Sequence, residues 1–63
     1  MLTPGDLVRL DTKGASDYDG TLGVVIAIDE PWYSSISGHI CKVFFPVEND
    51  IRYYNRSNLE KLI

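Results

Sequence analysis

Trp32, Tyr33, Tyr53 and Tyr54 are the side chains in this chain best suited to hold a partner. An aromatic face can accept a proline-rich peptide or a cationic group. Asp29 and Glu30 stand just before Trp32 and would add attraction for a cation. Trp32 and Tyr33 also lie in a stretch of turn-forming residues, Asp29 to Gly38, where polar side chains are expected. A purely structural assignment competes. Two of the four rings would fill a core and the others would cover an end of the domain or a subunit contact, because aromatics dominate both settings.

Other combinations carry less chemistry. His39 and Cys41 are two apart and can share a strand face, but two ligands fall short of the four that structural zinc takes. Cys41 sits in an apolar strand, which suits an inert buried thiol rather than a nucleophile beside a base. Ser34, Ser35 and Ser37 supply hydroxyls without a nucleophile elbow or an Asp-His pair. Asp17-Tyr18-Asp19-Gly20 resembles half of a calcium loop, but the twelfth position counted from Asp17 is Ile28, where a glutamate is needed. The plainer reading is an Asp-rich turn with Tyr18 capping the domain. Neither GxGxxG nor a Walker pattern is present. A domain this small is also expected to lack a ligand cavity of about 300 Å³ or more. These residues point away from an enzyme, a metal centre and a cofactor.

The elements that must position these groups are five short β-like segments. They are Gly5–Leu10, Gly23–Ile28, Cys41–Pro46 (with a start near His39), Ile51–Tyr54 and a closing Asn58–Ile63. Pro4 cannot donate a ladder bond, so the first strand begins after it. Alternation puts Val8 and Leu10 on one face and Leu7 and Arg9 on the other. The second segment is almost wholly apolar and β-branched, which suits a strand buried on both faces or one covered by a loop. Gly23 within it suggests a bulge or a sharp bend. Residues 11–20 read as a polar loop, and Glu48-Asn49-Asp50 as a hairpin turn. Tyr53 and Tyr54 point to opposite faces, so only one of them can be core. Residues 55–58 read as the entry to one short helical turn, with Asn55 or Ser57 as its cap. The expected core is Val8, Leu10, Val25, Ile28, Val43, Phe45 and Leu59.

Sixty-three residues make one domain of marginal intrinsic stability. One cysteine excludes an internal disulfide, so stability must come from the core or from a second subunit. The lone thiol and the lack of a basic-then-apolar leader pattern suit a reducing, cytoplasmic setting. No apolar run approaches the roughly 18 residues a membrane helix needs. The net charge is −3, unevenly spread: residues 1–31 hold six acids and two bases, and residues 32–63 hold three acids and four bases. Non-specific nucleic-acid binding rests on Lys and Arg, so the overall charge opposes it. It leaves room for one weakly basic face built from Lys42, Arg52, Arg56 and Lys61.

Gly5-Asp6-x-Val8-Arg9-Leu10, Gly20-x-x-Gly23-x-Val25-x-x-Ile28, Lys42-Val43-x-Phe45 and Leu59-Glu60 together resemble SH3-like barrels of the KOW and Tudor-like group. KOW domains of transcription elongation factors and ribosomal proteins share this glycine and valine rhythm. Photosystem I reaction-centre subunit IV is similar, and short phage-encoded proteins of unassigned function are similar in overall shape. The resemblance covers nearly the whole chain and implies an all-β fold: a small five-stranded SH3-like barrel with one short 3-10 turn before the last strand. It implies a non-enzymatic interaction module, plausible as a phage accessory protein in the host cytoplasm or associated with the virion. Its partner would be another protein, or the chain itself as a homo-oligomer. The alternatives are a KOW-like binder of nucleic acid or ribonucleoprotein through Lys42, Arg52, Arg56 and a Tyr53 or Tyr54 stack, and a Tudor-like cage for a methylated cation.

Overall fold

The computed structural model describes residues 2–28 and 40–63. Five antiparallel strands form one sheet: β1 (Leu7–Leu10), β2 (Leu22–Ile28), β3 (Ile40–Phe45), β4 (Asp50–Asn55) and β5 (Leu59–Lys61). A 3-10 turn, Arg56–Asn58, precedes β5. The strand order is β4-β3-β2-β1-β5, so chain neighbours pair except where β5 returns to the far side of β1. Among the described residues the ladders end at β4 and β5, and the 3-10 turn alone joins these two strands. The molecule measures 28 × 24 × 21 Å. One side of the sheet is buried.

Alternation decides what lies on that side. Val8, Leu10, Val25, Cys41, Val43 and Phe45 are fully buried, and Leu2 nearly so. Tyr18, Ile28, Tyr54 and Leu59 are half-buried and pack against this cluster. Ile28 and Leu59, expected as core, therefore form its margin. Both sit at strand ends, where fewer neighbours cover them. Leu2 and Cys41 complete the centre instead.

Gly23 has a different task from the one its position suggests. The irregularity in the β2–β3 ladder falls between Val25 and Ala27, where Ile26 is the extra residue. Gly23 is buried, and a Cβ there would stand 2.6 Å from Val43 Cγ1 and 3.1 Å from the Phe45 ring. Glycine is needed because the β2 backbone rests directly on core side chains.

Several boundaries differ from the sequence reading, among them β2 starting at Leu22 and β4 ending at Asn55. Gly5, at φ +97°, belongs to a turn in which Thr3 O accepts from Asp6 N, so β1 starts at Leu7. Asn58 completes the 3-10 turn, and β5 is shorter than Asn58–Ile63. The hairpin turn occupies residues 46–49, with Asn49 at φ +52°, and Asp50 already lies in β4. Asn tolerates this left-handed conformation better than most residues. Asn55 is the cap of the 3-10 turn: its Oδ1 accepts from both Ser57 N and Ser57 Oγ at 3.0 Å.

Candidate functional site

The register divides the candidate residues between two sides. On β4, Arg52 lies opposite the buried Val43 and Tyr54 opposite the buried Cys41, so both belong to the inner side. Tyr53 lies opposite Lys42 and Ile51 opposite Phe44, on the outer face. Tyr53 and Tyr54 therefore do not share a surface. Trp32, Tyr33, His39 and the three loop serines lie outside the described residues, as do Asp29 and Glu30.

The inner side is closed by residues 11–20. Gly20 N donates to Leu10 O at 2.7 Å and Leu10 N to Thr21 O at 3.1 Å, which ties off the base of this loop. Asp19 then organises it, accepting from Thr12 N (2.8 Å), Thr12 Oγ1 (2.6 Å) and Gly14 N (2.6 Å). These bonds, led by the Thr12 hydroxyl, hold the Asp19 carboxyl below its ordinary pKa. The loop lays Tyr18 edge-on against Phe45, with ring centroids 5.1 Å apart, and Tyr54 meets the same ring at 6.0 Å.

Polar contacts lock that arrangement. Tyr18 Oη donates to Asp50 Oδ2 at 3.0 Å, and Ser16 Oγ shares a 2.9 Å bond with Tyr54 Oη. The Arg52 guanidinium stacks 3.7 Å above the centre of the Tyr18 ring. It also donates to Asp17 Oδ1 at 3.0 Å and Asp50 Oδ2 at 3.3 Å. Asp17 and Asp19, the acids of the calcium-like loop, are thus taken up by Arg52, Thr12 and Gly14. Among the described residues no three metal-binding side chains converge.

The same geometry corrects the idea of one basic face. Lys42 and Arg52 project to opposite sides, because their β3–β4 pairings are with successive residues: Lys42 with Tyr53, Arg52 with Val43. Arg52 is counter-paired by two carboxylates. Lys42 lies 6.0 Å from the centre of the Tyr53 ring. Arg56 and Lys61 sit together elsewhere, in an open cleft of about 460 Å³ that they line with Leu2 and Leu59. A cleft of this size was not expected in so small a domain. It is open to the surface, between Leu2 near the N-terminus and the 3-10 turn and β5.

The outer face holds what sequence reasoning missed. Leu7 pairs with Val24, Val24 with Phe44, and Phe44 with Ile51. Beyond Leu7, Leu62 N donates to Leu7 O at 3.0 Å. A row of apolar residues therefore crosses the sheet from β4 to the chain segment after β5. Ile51 at one end is 46% exposed, and Leu22 and Ile26 on β2 are 46% and 41% exposed. Among the described residues the charges on this face are few: Arg9 pairs with Glu60 at 3.8 Å on one flank, and Lys42 stands on the other. The apolar run in β2 marked one strand of the row, but Leu22 and Ile26 are exposed where burial on both faces or cover by a loop was expected. Comparison of the chain with protein-family models, curated proteins and solved structures found no match.

Proposed function

We propose that this chain is a non-enzymatic interaction module, an SH3-like small β domain, that uses its outer sheet face to bind a protein surface, with a second copy of itself as the first partner. The observation that carries the reading is the cross-strand row Leu7–Val24–Phe44–Ile51, flanked by exposed Leu22 and Ile26. An apolar face of this kind gains free energy when covered, at roughly 25 cal/mol per Å² of apolar surface removed from water. A small domain without a disulfide gains stability from the same burial.

A second copy fits the charge distribution. Copies of a chain with net charge −3 repel one another. Asp11, Asp17 and Asp19 lie in the loop that closes the inner side, away from this contact. A two-fold arrangement sets the apolar row against itself. Nucleic acid fits less well, because Arg52 is bound to Asp17 and Asp50 and Lys42 points away from it.

Sedimentation velocity at micromolar protein and at about tenfold dilution tests the proposal through mass action. A dimer that dissociates on dilution supports it. A monomer at both concentrations removes the second copy as the partner.

A further inference from the structure

The cleft formed by Leu2, Arg56, Leu59 and Lys61 lies apart from the apolar row, and its chemistry is different. The 3-10 turn fixes Arg56: Asn55 caps the turn from one end, and Asn58 O accepts from Asp11 N at 2.8 Å at the other. β5 fixes Leu59 and Lys61 through their pairing with Leu10 and Val8. Leu2 is 7% exposed, so the apolar side of the cleft belongs to the core margin.

The charge count selects the ligand. Lys61 Nζ lies 3.6 Å from Asp6 Oδ2, which neutralises one of the two cations. Asp6 is itself held in place by Thr3 N at 2.8 Å. Glu60, between Leu59 and Lys61, points to the other face and pairs with Arg9. Among the described residues the Arg56 guanidinium has no carboxylate partner. Among the described residues the cleft therefore carries one uncompensated positive charge beside two leucines. A polyphosphate needs several cations, and this chain has net charge −3. A single carboxylate on an apolar body matches both the charge and the lining. Guanidinium is the side chain best shaped to take a carboxylate with two parallel bonds.

We propose that this cleft binds the C-terminal carboxylate of a peptide whose last side chains are apolar, with Arg56 as the carboxylate clamp, Leu2 and Leu59 as the seat for the side chain, and Lys61, paired with Asp6, as a wall of the cleft. An open cleft of about 460 Å³ has room for the last one or two residues of such a peptide, in the size range of small-ligand sites. The outer-face contact is not required, so the two proposals stand or fall separately.

The test is an amide NMR titration of the whole chain with acetyl-Leu-Leu as the free acid, and with the same peptide as its C-terminal amide. Octanoate forms a third arm, to separate a peptide terminus from a simple fatty carboxylate. The free acid is expected to shift the amides of Arg56, Leu59 and Lys61 saturably, and the amide form to bind at least roughly tenfold more weakly, the scale of a lost charge-assisted bond. Arg56→Gln is expected to remove that preference while Ile51→Lys retains it. Equal shifts from acid and amide, no saturable shift from either, or an unchanged preference in Arg56→Gln would each overturn the proposal. Octanoate binding as well as the peptide acid would overturn the peptide assignment.

Discussion

The two sides of the sheet use opposite chemistry. The inner side is sealed by a loop whose polar groups nearly all have partners: Asp19 on Thr12 and Gly14, Tyr18 on Asp50, Ser16 on Tyr54, and Arg52 on Asp17 and Asp50. Among the described residues no buried side-chain polar atom lacks a partner. The outer face carries an apolar row with exposed members and few charges. Residues that looked functional by type, such as Arg52, Tyr54 and the loop acids, hold the fold together. Ile51, Leu22 and Ile26, to which the sequence reading gave no site role, are the apolar residues left exposed on the outer face.

The sharpest break on the inner side is Phe45→Ala. Phe45 is fully buried and takes the edges of both Tyr18 and Tyr54. Its truncation should cost about 3–5 kcal/mol, enough to unfold a domain of this size. Circular dichroism should show lost strand signal at 25 °C, and a cooperative melt near the parent temperature would show the core to be elsewhere.

Gly23→Ala tests the tight approach of β2. The added methyl meets Val43 Cγ1 at 2.6 Å, so Val43, the Phe45 ring or the strand must move. Overpacking of this kind costs about 1–3 kcal/mol. The expected readout is a lower midpoint in urea with unchanged slope. A midpoint equal to the parent's would mean that the strand yields freely there.

Acid should loosen the clamp before it reaches the apolar row. The carboxyls of Asp6, Asp19 and Asp50 are all held below the ordinary value of 3.8. The leading causes are the Thr3 amide, the Thr12 hydroxyl and the Tyr18 hydroxyl respectively. A lowered folded pKa contributes stability that is fully present above 3.8 and is lost as the pH falls through the lower, folded value. Thermal melts from neutral pH downwards should show a flat region and then a decline beginning near 3.8. Asp19→Asn should shrink the decline, and an equally steep loss in that variant would place the acid sensitivity in other groups. Tyr18 sets the alkaline limit. Partial burial first, and the Asp50 carboxylate second, raise its pKa above 10.0, so stability declines as the pH rises far enough to ionise it.

Much of this arrangement was legible in the residues. The β-branched spacing located the strands, Asn55 marked the 3-10 turn, and alternation separated Val8 and Leu10 from Leu7 and Arg9. What was not legible depended on register. A bulge or a sharp bend was expected at Gly23, but only the β2–β3 alignment shows that the extra residue is Ile26, and Gly23 is where the backbone meets Val43 and Phe45. The basic face failed for the same reason: Lys42 and Arg52 lie on different strands, and only their pairing shows that they diverge. Leu2 carried no periodic signal, because it stands before the Pro4-Gly5 turn and looks like tail. The apolar row is a cross-strand property: the β2 run marks one strand of it, and only the register joins Leu7, Val24, Phe44 and Ile51. Trp32 and Tyr33 lie outside the described residues, and their proposed part in binding rests on their chemistry alone.

The smallest expected change in stability comes with the largest expected change in assembly. Ile51→Lys replaces a half-exposed side chain on edge strand β4, so the melt should stay within about 0.5 kcal/mol of the parent. The most direct test is sedimentation velocity of Ile51→Lys beside the parent chain at one micromolar-range concentration where the parent is dimeric. The account predicts that the variant sediments as a folded monomer. A variant that still sediments as the parent dimer would contradict the claim that the outer apolar row is the contact surface.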